Sequence, residues 1–203
     1  MRKLFVTGIG TDVGKTVVSA AIVEGLKADY WKPVQCGELD NSDTMKVQAL
    51  VSNKDSHFHP ESYRLKGFMS PHAAAKLEET EISINTIILP DTDNHLIVEG
   101  AGGLMVPLND RDTILDLMLE LNCEVVVVSR NYLGSINHTL LTLEVLKARG
   151  ASVAGIVFNG EPNAETERII LETSGIVCIG RIGEEKEITK KVITKYAPQF
   201  KNL

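Results

Sequence analysis

The chain has 203 residues, of which 43% are hydrophobic and 24% charged, and its formal net charge is −6. That length suits one domain with a sizeable core, residues 1–203, of ordinary globular composition. The acidic balance argues against a nucleic-acid partner, and no run approaches the roughly 18 apolar residues that cross a bilayer.

The N-terminus runs straight into a first strand, Leu4-Phe5-Val6, without a leader-like apolar segment, so a cytoplasmic location is expected. Cys36, Cys123 and Cys178 are few, odd in number and widely spaced, which suggests neither a disulfide framework nor a zinc site. The five histidines show no ligand spacing either.

After the first strand comes Thr7-Gly8-Ile9-Gly10-Thr11-Asp12-Val13-Gly14-Lys15-Thr16, then a helical pattern of Val17, Val18, Ala20, Ala21, Val23 and Leu26. A triphosphate needs many donors close together. Glycines let backbone N–H groups approach it, and the free amides of the helix start point at the same anion. Lys15 would reach the β- and γ-phosphates, and the Thr16 hydroxyl would hold a magnesium ion. Five residues separate Gly8 from Gly14, where the common motif has four and places its first glycine at the position of Ile9. The tripeptide Gly-Lys-Thr alone is compatible with a plain strand-to-helix turn; the strand, loop and helix around it favour the nucleotide.

Tyr30 to Gln35 predicts a short strand ending in Cys36-Gly37, with Pro33 suited to a strand end. Asn41-Ser42-Asp43 caps a helix through Val51, and 52–66, without a sustained period, predicts a loop. Ser70-Pro71-His72 opens a helix over 73–79. The apolar stretch 82–89 is ambiguous between strand and helix, and Pro90 at its end favours a short helix. A strand over 95–98 leads into a glycine-rich turn at Glu99-Gly100-Ala101-Gly102-Gly103, and a helix is expected over 113–121. The four valines 125–128 predict a strand buried on both faces. Then follow a helix 134–149, a strand 153–158, a helix 164–173, a strand 176–182 and a helix 187–196, the last carrying a solvated basic face. Strands alternating with helices imply a doubly wound α/β fold with a mainly parallel sheet and helices on both faces. Its ligand sits at the carboxyl ends of the strands.

A magnesium–ATP site also needs one or two carboxylates near the metal. Glu99, ending a buried strand, has little structural excuse; Asp43 has a rival role at a helix N-cap. Lys32 either snorkels to solvent or meets an anion from the side opposite the ATP loop.

The strings TGIGTDVGKT, YWKPVQCG, NSDTM, SPHAAA, VEGAGGLMVPL, YLGSINHTLLT and VFNG, in this order, resemble the dethiobiotin synthetase family over essentially the full chain. The resemblance implies a P-loop NTPase-like fold and an ATP- and Mg2+-dependent ligase of biotin biosynthesis. Its substrates would be 7,8-diaminononanoate and CO2, and it would work as a homodimer with the substrate site at the subunit interface. Carbon dioxide would add to one amine, the carbamate would attack the γ-phosphate, and the second amine would close the cyclic urea. Lys15 and Lys32 become the catalytic residues, and Thr16, Asp43 and Glu99 the metal ligands. Asp12, Val13, Gly14, Lys15, Thr16 and Val17 would wrap the phosphates, and Glu99, Gly100, Ala101 and Gly102 would line the site. Asn159 would read adenine, with Gly160, Gly180, Arg181 and Ile182 beside it. Thr11, Lys32 and Cys36 would contact the diamine, and Leu133, Gly134 and Asn137 its carboxylate, from across the dimer.

Two residues depart from the pattern. Cys36 stands where many members have serine, a better hydrogen-bond donor, and Gly10 replaces a carboxylate. An amide-forming synthase acting on corrinoid acids shares the loop and VEGAGG but usually has a glutaminase domain as well. A partition ATPase usually has an additional lysine early in the loop, where this chain has Ile9, Gly10 and Thr11.

Overall fold

The first apolar run forms the strand Lys3–Gly8 (β1), buried from Leu4 onward. Residues 1–203 are described by a computed structural model with nine strands and seven helices. The helix Lys15–Leu26 (α1) starts after Gly14, which is left-handed at φ 93°, and ends at Lys27, whose N–H returns to the Val23 carbonyl.

The stretch 30–35 is not one strand. Asp29–Trp31 (β2) joins the main sheet and Val34–Cys36 (β3) a separate two-stranded one. Pro33, lacking an N–H for a ladder, sits where the chain leaves. The helix Asp43–Leu50 (α2) is capped by Ser42, which accepts from the Met45 N–H. The expected loop 52–66 contains Phe58–His59 (β4), paired with β2, and Tyr63–Leu65 (β5), paired with β3. Strands of two and three residues are too short to show alternation in sequence.

Pro71–Leu77 (α3) follows, and 82–89 holds only a 3₁₀ turn at Ile84–Thr86, with Ile82 and Ile87 fixed in the core. The strand Leu96–Gly103 (β6) runs on through the glycines expected to turn, and Gly103 pairs with Gly8 after a shift of register. The remaining elements are Ile114–Glu120 (α4), Glu124–Arg130 (β7), Ser135–Ala148 (α5), Val153–Asn159 (β8), Ala164–Ser174 (α6), Cys178–Ile182 (β9) and Lys190–Tyr196 (α7). The last helix begins three residues later than the sequence suggests, at its Thr189 cap.

All main-sheet pairs are parallel, in the order β4-β2-β6-β1-β7-β8-β9. From β1 the chain crosses to β2 and β4 on one side, returns to β6 between β2 and β1, and then passes β1 to β7, β8 and β9 on the other, so the carboxyl end of β1 lies at the topological switch point. Alternate side chains feed two cores. Leu4, Val6, Tyr30, Ile97, Val126 and Val128 meet α1, α2 and α7 on one face. Phe5, Trp31, Val98, Val125 and Val127 meet α3, α4, α5 and α6 on the other. The four valines of β7 are wholly buried, each worth about 1.5–3 kcal/mol against exposure.

Candidate active site

The loop after β1 is shaped by two glycines. A Cβ on Gly8 would lie 2.5 Å from Val13 Cγ2, and one on Gly14 would run into the Asn159 amide, which donates to the Val13 carbonyl at 2.9 Å. Asn159 thus ties the end of β8 to the loop. Gly10 has open space around its Cβ position, so a side chain there would meet no obstruction and sterics do not demand the glycine. The Lys15 side chain arches back over the loop, its Nζ donating to the Gly10 carbonyl at 3.1 Å. Burial, with Lys32 adding to it and nearby acids opposing, brings its pKa down to about 8.

Opposite stands Lys32, 4% exposed. Its ammonium lies 2.6 Å from Asp43 Oδ2 and 3.2 Å from Glu99 Oε1, and approaches the Gly100 carbonyl at 3.4 Å. It therefore does not snorkel. Burial works to lower its pKa, but Glu99 and Asp43 outweigh burial and raise it. Asp43 is likewise held below the carboxylate range: burial opposes ionisation, and the charge and hydrogen bond of Lys32 overcome it. Because Ser42 takes the cap, the Asp43 carboxylate is free to face Lys32. Glu99 accepts from Thr16 Oγ1 at 3.0 Å, bringing the start of α1 to the middle of β6.

These groups open on one cavity of about 720 Å³, a size that suits a nucleotide-sized ligand. Of the expected residues it is lined by Thr11, Asp12, Gly14, Lys15, Thr16, Val17, Lys32, Cys36, Asp43, Glu99, Ala101 and Gly102. Val13 is buried beneath the loop, and Gly100 packs on the ring of Phe5. Burial pushes the Cys36 thiol up to about 11, so it faces the cavity as a neutral thiol. No cluster of three or more His, Cys, Asp or Glu side chains is gathered for a metal. The donors present, one hydroxyl and two carboxylates, are hard oxygens that fit magnesium, which keeps waters and takes further oxygens from phosphate.

A family model described as an AAA domain matches residues 2–192. The ATP-dependent dethiobiotin synthetase BioD of Christiangramia forsetii is 50% identical over 98% of this chain and 96% of its own. That of Cytophaga hutchinsonii is 52% identical over 97% and 96%. The chain belongs to the dethiobiotin synthetase family. Solved structures extend only the fold of this synthetase: a plasmid partition protein from Borrelia burgdorferi (TM-score 0.61, 13% identity, 98% of this chain and 96% of that one) and the cell division ATPase MinD of Pyrococcus furiosus (0.59, 16%, 100% and 91%).

Elsewhere in the synthetase the expected residues lie apart from the cavity. Gly160 follows Asn159 and sits against Arg130 and Glu184, with its N–H donating to the Ile182 carbonyl. Gly180 meets the ring of Phe200, Ile182 is in the core, and Arg181 pairs with Glu167 at 2.6 Å and lies over Phe158. Leu133, Gly134 and Asn137 are exposed at the start of α5. A second cavity of about 410 Å³ separates α5 from the loop, between Thr11 and His138.

Sequence reasoning missed Gln35, Lys46, Phe68 and Met69, which line the main cavity, and Tyr30, which supports it from below. Gln35 is buried and accepts from the Asp43 N–H at 3.1 Å while donating to the Gly37 carbonyl at 3.0 Å, which fixes the turn that presents Asp43. A polar residue between the apolar Val34 and Cys36 on a strand end was the available signal. Lys46 pairs with Glu38 and lies 3.7 Å from Asp43.

Proposed function

We propose that the chain, acting as one domain over residues 1–203, closes the ureido ring of dethiobiotin from 7,8-diaminononanoate and CO2 with conversion of ATP to ADP and phosphate. The full-length likeness to named synthetases supports the activity. The observation that carries the mechanism is the convergence of Lys15 and Lys32 on one cavity, with Asp43 and Glu99 paired to Lys32.

Lys15 and the loop amides of 12–17 bind the triphosphate, and Lys15 neutralises charge on the transferring phosphoryl group. Lys32 sits where it attracts both a carbamate and the γ-phosphate, holding the two anions close enough to react. Carbon dioxide adds to one amine of the substrate, which gives up a proton. The carbamate oxygen then attacks phosphorus as ADP leaves, and the second amine attacks the mixed carbamic–phosphoric anhydride, expelling phosphate. Thr16, Asp43 and Glu99 are the residues that would hold Mg2+, which would supply charge neutralisation across the phosphate oxygens. Thr11 and Cys36 contact the diamine. Asn159 reads adenine, with Gly160 and 180–182 beside it.

The chain works as a homodimer in the cytoplasm, and its partner brings Leu133, Gly134 and Asn137 to the substrate carboxylate. Tyr132, Leu133 and Ile136, exposed at the start of α5, support that end as an interface, since large apolar side chains left in water favour a partner. No helix is long and apolar enough to cross a membrane.

The test is phosphate release from magnesium–ATP with bicarbonate, with and without 7,8-diaminononanoate, followed by product mass. Diamine-dependent release with the cyclic urea formed is expected. Release indifferent to the diamine would overturn the substrate assignment and leave a nucleotide-hydrolysing switch.

A further inference from the structure

Glu99 is gripped from two sides, and only one of them faces the cavity. Its Oε1 accepts from the Thr16 hydroxyl and the Lys32 ammonium, both of which line the cavity. Its Oε2 accepts from the Tyr30 hydroxyl at 2.9 Å, and Tyr30, 0% exposed, lines no part of the cavity. Parallel pairing explains the contact: Tyr30 lies beside Ile97, and Glu99, two residues further along β6, projects from the same face. A buried phenol hydroxyl must find a partner, and this one's hydrogen bond goes to Glu99.

We propose that Tyr30 is a positioning residue that reserves Oε2 of Glu99, leaves only Oε1 to a divalent cation, and so makes the site prefer Mg2+ to Ca2+. Calcium takes six to eight oxygens and often binds a carboxylate through both of them; magnesium demands a small octahedron in which a carboxylate gives one. Tyr30 takes one lone pair of Oε2 and holds that oxygen towards the buried side of β6, so a cation that took both oxygens would have to compete with this bond, whereas Oε1 is held only by groups that line the cavity. A donor of this kind behind a ligand also fixes its direction, and its loss typically weakens metal binding by about 10–100-fold. This inference rests on the assignment of Glu99 as a metal ligand.

The test uses the full chain with a non-hydrolysable ATP analogue and bound Mn2+ as a spectroscopic probe, displaced in turn by Mg2+ and Ca2+. In Tyr30→Phe the Mg2+ affinity should fall by about tenfold or more and that for Ca2+ by less, so the Mg2+/Ca2+ affinity ratio drops. In the Glu99→Gln background, adding Tyr30→Phe should leave the ratio where Glu99→Gln put it. An unchanged ratio in Tyr30→Phe overturns the role of Tyr30. Unchanged Mg2+ affinity in Glu99→Gln alone overturns the ligand assignment itself, so the two failures are distinct. Phenylalanine keeps the ring and its packing 6.3 Å from Phe58. Should the variant nevertheless fail to fold, infrared difference spectra of the wild-type protein carry the test. The Glu99 carboxylate band, identified by its absence in Glu99→Gln, should show one-oxygen binding with both cations; a two-oxygen band with Ca2+ overturns the inference.

Discussion

Replacing Lys32 with methionine keeps the length of the stem and removes the charge, which isolates what the ammonium does between Asp43 and Glu99. At 2.6 and 3.2 Å, and an effective dielectric of about 20, each pair carries roughly 5–6 kcal/mol of gross attraction. The desolvation of Lys32 offsets most of that, so the cost of the substitution is the cost of leaving the carboxylates buried and unpaired, about 3–5 kcal/mol. Glu99 keeps Thr16 and Tyr30, and Asp43 keeps only the more distant Lys46, so the lower end, about 3 kcal/mol, is expected. For a chain of this size that is a fall of about 6–12 °C in melting temperature at pH 7.5 in chelator, within a margin that still permits folding. The pH trend then follows from the sign of the Asp43 shift. In the native protein its pKa is lowered, so the pair stabilises above the unfolded value and is lost as pH falls through the folded one. Without Lys32 the remaining burial favours the protonated form, and acid relieves the variant. The gap between variant and wild type should therefore narrow from pH 7.5 towards about pH 4, near the unfolded carboxylate range. Added Mg2+ should narrow it at neutral pH, and diamine-dependent turnover should fall by about 10²–10³. An identical melting temperature at pH 7.5, or a gap that widens in acid, would refute the reasoning.

Three other substitutions probe separate parts of the structure. Gly14→Ala forces a Cβ into a left-handed position against Asn159, costing about 1–2 kcal/mol in backbone strain and about 1 kcal/mol in the lost bond to Val13; titration with a fluorescent nucleotide should show weakened binding, and wild-type affinity would dismiss the cradle. Asp29, buried at the opposite end of β2, accepts from the His57 N–H, Thr92, His59 and Asn94. Burial alone would raise its pKa, these hydrogen bonds lower it, and its stability contribution is present above about pH 4 and shed below it. Asp29→Asn should cost about 2–3 kcal/mol at pH 7, and progressively less below pH 4, in denaturant unfolding. Cys36→Ser puts a stronger donor against the cavity and should lower the KM for the diamine about two- to tenfold, the worth of one net hydrogen bond; an unchanged KM would remove residue 36 from the substrate contacts.

What could be read from the sequence, and what could not, divides along the range of the interactions. The phosphate loop, the four buried valines and the βα alternation are local patterns, and each forms where expected. Lys32 follows β2 directly, as a charge closing a buried strand, whereas Glu99 was read as a strand end and lies instead in the middle of β6, because the strand continues to Gly103. The segments that differ were decided by partners far along the chain. Residues 100–103 stay in the strand, through a register shift at which Gly102 is left-handed, because Gly8 pairs with Gly103, and 58–59 and 63–65 become strands only because β2 and β3 lie alongside. The site itself depends on such a partner. Tyr30 meets Glu99 across 69 residues, and Lys32 meets it across 67, because β2 pairs with β6 in the register Tyr30 to Ile97. Side chains alternate along a strand, so a slip of one residue would send Tyr30 to the opposite face and bring Trp31 to the face of Glu99. Trp31 is instead fixed in the other core, its indole N–H donating to the Pro60 carbonyl at 3.0 Å, so the packing of the far face sets the register of the near one. Lys32 and Glu99 are therefore aligned by hydrophobic burial on the other side of the sheet, which is why their chemistry could be read residue by residue while their geometry required the fold.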